Sequence, residues 1–418
     1  MSMSQDAHGS LFNTPIAYKL HIDEKLLSTT KQKLQLARYP EEQTDIGADD
    51  WNQGAKVEVV KRLADYWKDG YDWRAEEAKI NQEFDQYTVK VDIPDYGPQV
   101  LHYAHHRSTS PKAIPLIFVH GWPGSFLEAR KIIQPLTSPS NPKDQAFHLI
   151  APSLPGYGPG PTPQKSGFGP VTAAKAFKIL MVDVLGYDKF VTQGGDWGTF
   201  VTRSLAMQYP RHVRACHTNF IPCEPPSWFK APLVLGRLVL NSWLYTAREK
   251  QGLAKMQYYQ REQSGYLKLQ STRPQSLGFG LGDSPIGLVA WLVEKYHDWM
   301  DVAHYTQPDD ECLSFVMMHW MTAATPGLRF YKAAFEEQGV GSVTRSLTTY
   351  LATPLGWSAF PRELATPPMD WARAICNLHW YREHEEGGHF PSVECPEVLV
   401  EDLREWFGGE VVQKAMQA

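Results

Sequence analysis

The sequence is poor in cysteine, and its few cysteines follow no recognisable pattern. The 418 residues contain five of them, Cys216, Cys223, Cys312, Cys376 and Cys395. This odd number has neither the density of a disulfide scaffold nor the spacing of a zinc site. Because thiols stay reduced in the cytosol, we expect a cytoplasmic protein with free cysteines and no bound metal.

Long apolar runs and an excess of basic residues are also missing. No segment approaches the ~20 apolar residues that a membrane-spanning helix needs. The polar start, Met1–Thr14, lacks the charged-then-apolar layout of a signal peptide. The formal net charge is −5, with Lys and Arg dispersed along the chain, whereas nucleic-acid binding requires a basic face. We therefore predict no membrane anchor and no nucleic-acid partner.

The sequence does contain an alternation of strand and helix patterns in two separate regions. Strands alternating with helices predict the α/β class, with a mostly parallel central sheet flanked by helices. Residues from 228 to about 350 have a mostly helical pattern instead. The predicted strands lie at 87–93, 100–105, 114–119, 147–151, 189–192, 213–218, 354–359 and 376–380.

A helical block that interrupts a sheet of this kind is typical of a lid. We therefore predict a core over residues 99–224 and 351–418 and a helical lid over residues 225–350. Helical patterns such as Val57–Trp67 precede the first strand, so residues 1–98 are predicted to form an N-terminal extension that wraps around the core.

The most informative motif is Gly194-Gly195-Asp196-Trp197-Gly198, which follows a predicted strand and opens a predicted helix. It has the form Gly-x-nucleophile-x-Gly, the strained turn that exposes a nucleophile above the sheet of an α/β-hydrolase fold. The alternative is an ordinary helix N-cap, a position that favours aspartate. Since no Gly-x-Ser-x-Gly occurs in the chain, Asp196 has no serine competitor.

A second motif, His120-Gly121-Trp122-Pro123, follows the apolar run at 114–119. A backbone N–H at this bend, that of Trp122, is predicted to form an oxyanion hole with the N–H of Trp197. Taken alone, the motif is equally well explained as a tight turn that ends a strand.

The general base is expected near the end of the chain, where two glycines precede His389. Its orienting acid has three candidates, of which Glu363 follows the strand at 354–359 and is preferred. Asp188 lies beside the elbow, and Asp370 is better explained as an N-cap for a helix from Trp371 to Ile375.

Two further histidines lie at five-residue intervals before His389. They are His379 and His384, and the spacing fits neither a helical zinc pair nor a zinc loop. We assign both to structural roles, with His384 at the surface.

Together these motifs resemble the microsomal-type epoxide hydrolase family, in particular its soluble fungal members, and the resemblance covers nearly the whole chain. It implies that Tyr266 and Tyr331 in the lid hydrogen-bond the epoxide oxygen and that Glu363 is the acid. It also suggests a homodimer and a role in detoxification. The matching segments are the N-terminal extension through Trp73, Arg74 and Phe84, the loop His120–Ser125, the elbow Gly194–Gly198, the lid stretch Asp283–Leu288 with Ala290, Trp291 and Glu294–Tyr296, and Glu386–Phe390.

From the motifs and the resemblance we predict a cofactor-independent epoxide hydrolase that forms vicinal diols from apolar or aromatic epoxides. Asp196 would form a glycol ester, which water activated by His389 and Glu363 then hydrolyses. Two alternatives remain open. A haloalkane dehalogenase would also use an aspartate elbow, and a binding protein could retain the hydrolase scaffold without catalysis.

Overall fold

One central sheet organises the residues that the computed structural model describes, namely 11–47, 49–225 and 244–418. Nine strands in this part of the chain lie in the order β1-β2-β3-β5-β4-β6-β7-β8-β9. They are β1 (Ile16–Ala17), β2 (Gln86–Ile93), β3 (Gly97–His106), β4 (Ile114–Val119), β5 (Phe147–Pro152), β6 (Phe190–Gly194), β7 (Val213–Thr218), β8 (Leu351–Ala359) and β9 (Cys376–Glu383).

The parallel part of the sheet confirms the predicted fold class. Strands β5, β4, β6, β7, β8 and β9 are parallel neighbours, whereas β1, β2 and β3 pair antiparallel and join the sheet through β5. Every residue of β6 is buried, as expected for a strand covered by helices on both faces. All eight predicted strands are confirmed, and only the two-residue β1 was not predicted.

Helices flank this sheet and form the remainder of the described core. One of them, α6, packs against β4, β6, β7 and β8. In chain order the helices before residue 226 are α1 (Glu24–Gln35), α2 (Val57–Asp69), α3 (Trp73–Glu83), α4 (Ile133–Thr137), α5 (Pro170–Lys178, continued by a π turn at Ile179–Val184) and α6 (Trp197–Gln208).

One predicted helix is wrong in part. The pattern Phe126–Leu136 predicts a single helix, but the chain forms a 3₁₀ turn at Phe126–Ala129 and then the short α4. Pro135 explains the break, because its ring clashes with the carbonyl group four residues earlier and it has no N–H to donate to that group.

The helical block after residue 243 confirms the predicted change in pattern, while residues 226–243 of the predicted lid lie outside the described residues. Its helices are α7 (Ala247–Tyr258, continued by a π turn at Tyr259–Gln263), α8 (Gly265–Thr272), α9 (Pro274–Leu281), α10 (Pro285–Trp299), α11 (Asp309–Trp320), α12 (Thr325–Glu336) and α13 (Val343–Ser346). After β8 follow α14 (Met369–Ile375), α15 (Pro391–Glu394), α16 (Pro396–Gly408) and α17 (Glu410–Gln417); α17 was not predicted.

The N-terminal segment contacts both the sheet and the lid. Thr30 on α1 accepts a hydrogen bond of 2.7 Å from the indole of Trp320, and the hydroxyl of Tyr66 on α2 lies 2.6 Å from Asp310. The predicted boundary at 98 and 99 falls within β3, so the extension and the core share one sheet. Residues 1–10 of the extension lie outside the described residues, and the domain limits stay predictions.

The described helices were also compared with the dimensions of a bilayer. None of them is by itself long and apolar enough to cross one. Only α9 and α10 together have the required length and composition, and the chain bends by 113° between them.

The close approach of β4 to α6 gives a first testable prediction. A methyl group at Gly198 would lie 1.8 Å from the carbonyl oxygen of Val119, whereas at Gly280, exposed on α9, it would meet nothing within 4 Å. We expect Gly198→Ala to lower the free energy of unfolding by about 3 kcal/mol, as overpacking against rigid backbone does.

Denaturant unfolding measures this difference. Gly280→Ala should be neutral or stabilising by up to about 1 kcal/mol, and equal effects of the two substitutions would contradict the prediction.

Candidate active site

The turn between β6 and α6 holds Asp196 in a strained backbone conformation. Its φ is 48° and its ψ is −124°, a region that side chains other than glycine rarely adopt. Although Asp196 precedes the first helical residue, its carboxylate accepts no hydrogen bond from the helix. The side chain is 15% exposed. This geometry favours the elbow interpretation over an N-cap.

The loop after β4 brings a backbone donor to this carboxylate. The N–H of Trp122 donates to Oδ1 of Asp196 at 2.8 Å. The loop itself is fixed at the carbonyl oxygen of Pro123, which lies 2.7 Å from Nε2 of His319 and accepts from the hydroxyl of Tyr296 at 3.2 Å. The Trp122 N–H is therefore a preorganised donor, while the role of the Trp197 N–H stays a prediction.

His389 lies between two carboxylates. Its Nδ1 is 2.6 Å from Oε1 of Glu363, and its Nε2 is 3.4 Å from Oδ2 of Asp196. The side chains of His389 and Glu363 are fully buried. Burial lowers the pKa of the imidazole, but the charges and hydrogen bonds of Glu363 and Asp196 outweigh it and raise this pKa to about 10. The free enzyme therefore holds an imidazolium at neutral pH.

The loop that carries His389 depends on its two glycines. Gly387 has φ +99°, and its N–H donates to the carboxylate of Asp301 at 2.9 Å. A methyl group on Gly388 would lie 2.4 Å from the carbonyl oxygen of Trp299, and that oxygen accepts from the His389 N–H at 2.9 Å. Glycine at both positions is required to bring the imidazole to the elbow.

Asn219 was not predicted, although it holds the acid in place. It follows β7, and its amide donates to Oε2 of Glu363 at 2.7 Å and to the carbonyl oxygen of His389 at 3.2 Å. The signal that could have found it is its position at the carboxyl end of a parallel strand, the edge where ligands and reacting groups meet in such sheets.

The two predicted lid tyrosines lie together above the oxyanion loop. The ring of Trp122 stacks on Tyr266 with a centroid distance of 5.1 Å and meets Tyr331 edge-on at 5.8 Å. Both tyrosines are buried, and burial raises the pKa of each hydroxyl well above its usual value. Each is therefore a neutral hydrogen-bond donor over the ordinary pH range.

The two hydroxyls have different surroundings. That of Tyr266 lies 2.9 Å from the hydroxyl of Tyr259, a lid residue that the sequence did not single out. That of Tyr331 has no hydrogen-bond partner among the described side chains and backbone. A buried hydroxyl normally has a partner, so Tyr331 has a donor to offer to a bound molecule.

The other candidate acids and histidines lie outside this site, and two of the predictions about them are wrong. Asp188 is exposed and pairs with His212 at 3.2 Å. Helix α14 begins at Met369 and its N-cap residue is Pro368, so Asp370 lies in the first turn. The prediction that Asp370 is the N-cap of this helix is therefore wrong. His384 is not a plain surface residue, since its side chain is 13% exposed and its Nε2 lies 2.7 Å from Asp402.

With this geometry established, the chain can be compared with known proteins. Family models described as "Epoxide hydrolase N terminus" and "alpha/beta hydrolase fold" match residues 15–129 and 114–275. Epoxide hydrolase 1 of Sus scrofa is 32% identical, over 86% of this chain and 81% of its own. A Stigmatella aurantiaca protein, provisionally named an epoxide hydrolase, is 35% identical over 93% of this chain and 84% of its own.

Solved structures agree with these sequence matches. Aspergillus niger epoxide hydrolase superposes with a TM-score of 0.78 at 30% identity, and the match covers 96% of each chain. The chain belongs to the epoxide hydrolase family. This membership confirms the resemblance drawn from the motifs, as well as the α/β-hydrolase fold.

This member of the epoxide hydrolase family has no cluster of metal ligands within residues 11–47, 49–225 and 244–418, where no group of three or more His, Cys, Asp or Glu side chains is arranged to hold a metal ion. The five cysteines form no disulfide, and four of them are buried. A reaction without metal or cofactor stays a prediction, as does a homodimer.

The charge balance around His389 gives a second prediction. Replacing Asp196 by Asn removes one of the two carboxylates that favour the imidazolium, so the pKa of His389 should fall from about 10. A pH titration of the imidazole by ¹⁵N NMR measures this change. Asp188→Asn, at an exposed pair with His212, serves as the control. An unchanged His389 pKa in Asp196→Asn would show that the ion pair contributes nothing.

Proposed function

We propose that the protein converts apolar or aromatic epoxides to vicinal diols through an ester on Asp196. The observation that carries this proposal is the position of one residue, Trp122. Its N–H binds Oδ1 of Asp196, and its ring contacts both Tyr266 and Tyr331. The carboxylate of Asp196 and the two phenols thus lie against the same residue, and the charge of Asp196 contributes to the raised pKa of both phenols. A carboxylate nucleophile with two phenol donors nearby is the set of groups that the opening of a strained ring with a developing alkoxide requires.

In the first step, Oδ2 of Asp196, the oxygen that does not accept from the Trp122 N–H, attacks a ring carbon and the carbon–oxygen bond of the epoxide breaks. The epoxide oxygen accepts hydrogen bonds from Tyr266 and Tyr331 and takes up a proton. Because burial keeps both phenols neutral, they are donors before the alkoxide develops. A carboxylate is ionised at neutral pH and needs no base to become a nucleophile.

The second step requires a neutral His389. Ester formation removes the negative charge of Asp196, which is one cause of the raised pKa of His389. The pKa therefore falls when the ester forms, and the imidazolium releases its proton as the epoxide oxygen gains one. Neutral His389 then takes one proton from water as the water oxygen attacks the ester carbonyl carbon. Collapse of the tetrahedral intermediate breaks the ester carbon–oxygen bond, and the second proton of the water passes to the leaving diol oxygen, which restores the carboxylate of Asp196. Glu363 orients the ring and stabilises the imidazolium that re-forms.

The aromatic wall supports an apolar substrate. Beyond the two tyrosines, it includes Trp197, whose ring lies 4.6 Å from that of Tyr331, and Trp299, 5.3 Å from that of Tyr266. The relatives named above are epoxide hydrolases, which favours ring opening over dehalogenation. Paired phenol donors suit an oxygen that gains charge and a proton, and no observation here favours a halide site.

The covalent step can be tested by a single turnover in ¹⁸O-labelled water, with enzyme in excess over styrene oxide. Water attacks the carbonyl carbon of the ester, so the label should enter the carboxylate of Asp196 and not the first diol released. Peptide mass spectrometry measures the label. If the label appears in that diol and Asp196 stays unlabelled, water attacks the epoxide directly and the ester mechanism is wrong.

The tyrosines give a separate prediction. Replacing both Tyr266 and Tyr331 by Phe removes the donors to the developing alkoxide, and we expect the rate of Asp196 alkylation to fall by a factor of about 10³ or more. Rapid-quench mass spectrometry measures this rate. Tyr350→Phe, at an exposed tyrosine, is the control and should have no effect. Alkylation at the unaltered rate in the double variant would exclude the two phenols from ring opening.

A further inference from the structure

A second acidic side chain lies beside the triad and has no role in the steps above. Glu128, in the 3₁₀ turn after the oxyanion loop, is 8% exposed. Its Oε1 has no hydrogen-bond partner among the described residues. Buried carboxyl groups are normally paired because unpaired burial is costly. A buried carboxyl group with one unpaired oxygen next to a nucleophile suggests a role in the reaction.

Glu128 shares a cavity with the reacting groups. This small cavity is lined by Glu128, Asp196, His389, Gln193, Asn219 and Ser392 together with glycines and apolar side chains. Oε1 of Glu128 and Oε1 of Gln193 have no hydrogen-bond partner in the described structure, while Nε2 of His389 faces Oδ2 of Asp196 at 3.4 Å. A small cavity with several polar groups on its wall is suited to hold one water molecule.

The glycines of the oxyanion loop make room for this arrangement. A methyl group on Gly121 would lie 2.3 Å from Oδ1 of Asp196, and one on Gly124 would lie 1.6 Å from Oε1 of Glu128. One glycine therefore admits the nucleophile, and the other admits the carboxyl group of Glu128. The same loop brings both carboxyl groups to the cavity.

We propose that Glu128 binds the hydrolytic water, as the second hydrogen-bond acceptor besides His389. Water has two protons, and attack on the ester transfers one of them to Nε2 of His389. An acceptor for the other proton fixes the orientation of the water, so that its lone pair points at the carbonyl carbon of Asp196. The inference rests on the proposed function, because it requires an ester on Asp196.

The protonation state of Glu128 determines which substitution mimics it. Burial raises the pKa of this carboxyl group to about 8; the imidazolium of His389 and the Gly121 N–H lower it, and the charge of Asp196 raises it. The phenol of Tyr296 is also close enough to interact, since Glu128 contributes to the raised pKa of this phenol. At pH 7 the carboxyl group is therefore mostly protonated, and its carbonyl oxygen is the acceptor that glutamine would also supply.

Single-turnover kinetics separate the two steps. In Glu128→Leu we expect alkylation of Asp196 to stay within about twofold of the unaltered enzyme, while hydrolysis of the ester slows by roughly 10- to 100-fold. The alkylated enzyme should therefore accumulate, as detected by intact-protein mass spectrometry with styrene oxide at pH 7. Glu128→Gln keeps an acceptor oxygen and should restore most of the hydrolysis rate.

A general effect of losing a buried carboxyl group is tested with Glu77→Leu, since Glu77 is 7% exposed and lies in the N-terminal extension. Both rates should be unchanged in this variant. If Glu128→Leu does not fold, Glu128→Met, with an apolar side chain of similar length, is measured in the same way.

The outcomes distinguish the inference from the proposed function. His389→Gln, which lacks the base, should accumulate the ester in every case where the ester forms. If no variant forms an ester, the proposed function is wrong. If His389→Gln accumulates the ester but Glu128→Leu hydrolyses it at the unaltered rate, or loses both steps equally, Glu128 does not bind the hydrolytic water.

Discussion

The active site depends on one hydrogen bond, from the backbone N–H of Trp122 to the carboxylate of Asp196. It exists because β4 and the β6–α6 turn approach each other without side chains between them. A methyl group at Gly121 would lie 2.3 Å from the Asp196 Cβ, and one at Gly198 would lie 1.8 Å from the Val119 carbonyl oxygen. The ring of the same Trp122 contacts the two lid tyrosines. The position of this residue therefore determines where both the carboxylate of Asp196 and the lid tyrosines lie in the site.

The charges buried near this hydrogen bond are stabilised by hydrogen-bond donors and by an opposite charge. Glu363 is fully buried, and its carboxylate accepts hydrogen bonds from the Asn219 amide and the Leu364 N–H while pairing with His389. An isolated buried carboxylate would be costly, but one with several donors and a cation is stable. A second carboxylate, that of Asp196, also favours the imidazolium, and in the proposed mechanism the ester removes this second charge and lowers the pKa of His389.

The sequence predicted the groups that short motifs encode and missed those that long-range packing brings in. The glycines around Asp196 and before His389 mark sharp turns, so both residues could be located from spacing alone. Asn219 contacts Glu363 across 144 residues of sequence, and no local pattern indicates that contact. Tyr266 and Tyr331 could be selected among 19 tyrosines only through the family resemblance. Pro135 is a local signal for the break in the predicted helix. The helical periodicity of the apolar residues around it nevertheless led to the prediction of one continuous helix.

The position of the lid tyrosines depends in turn on the N-terminal extension. Two lid helices pack against this extension: Trp51 stacks on His297 of α10 at 3.9 Å, Thr30 binds the indole of Trp320 on α11, and Trp67 meets that indole edge-on. These contacts join the lid to a segment that also contributes β1 and β2 to the sheet. Because an active site is sensitive to displacements of about 1 Å, we expect this distant segment to influence the distance between Asp196 and the two lid tyrosines.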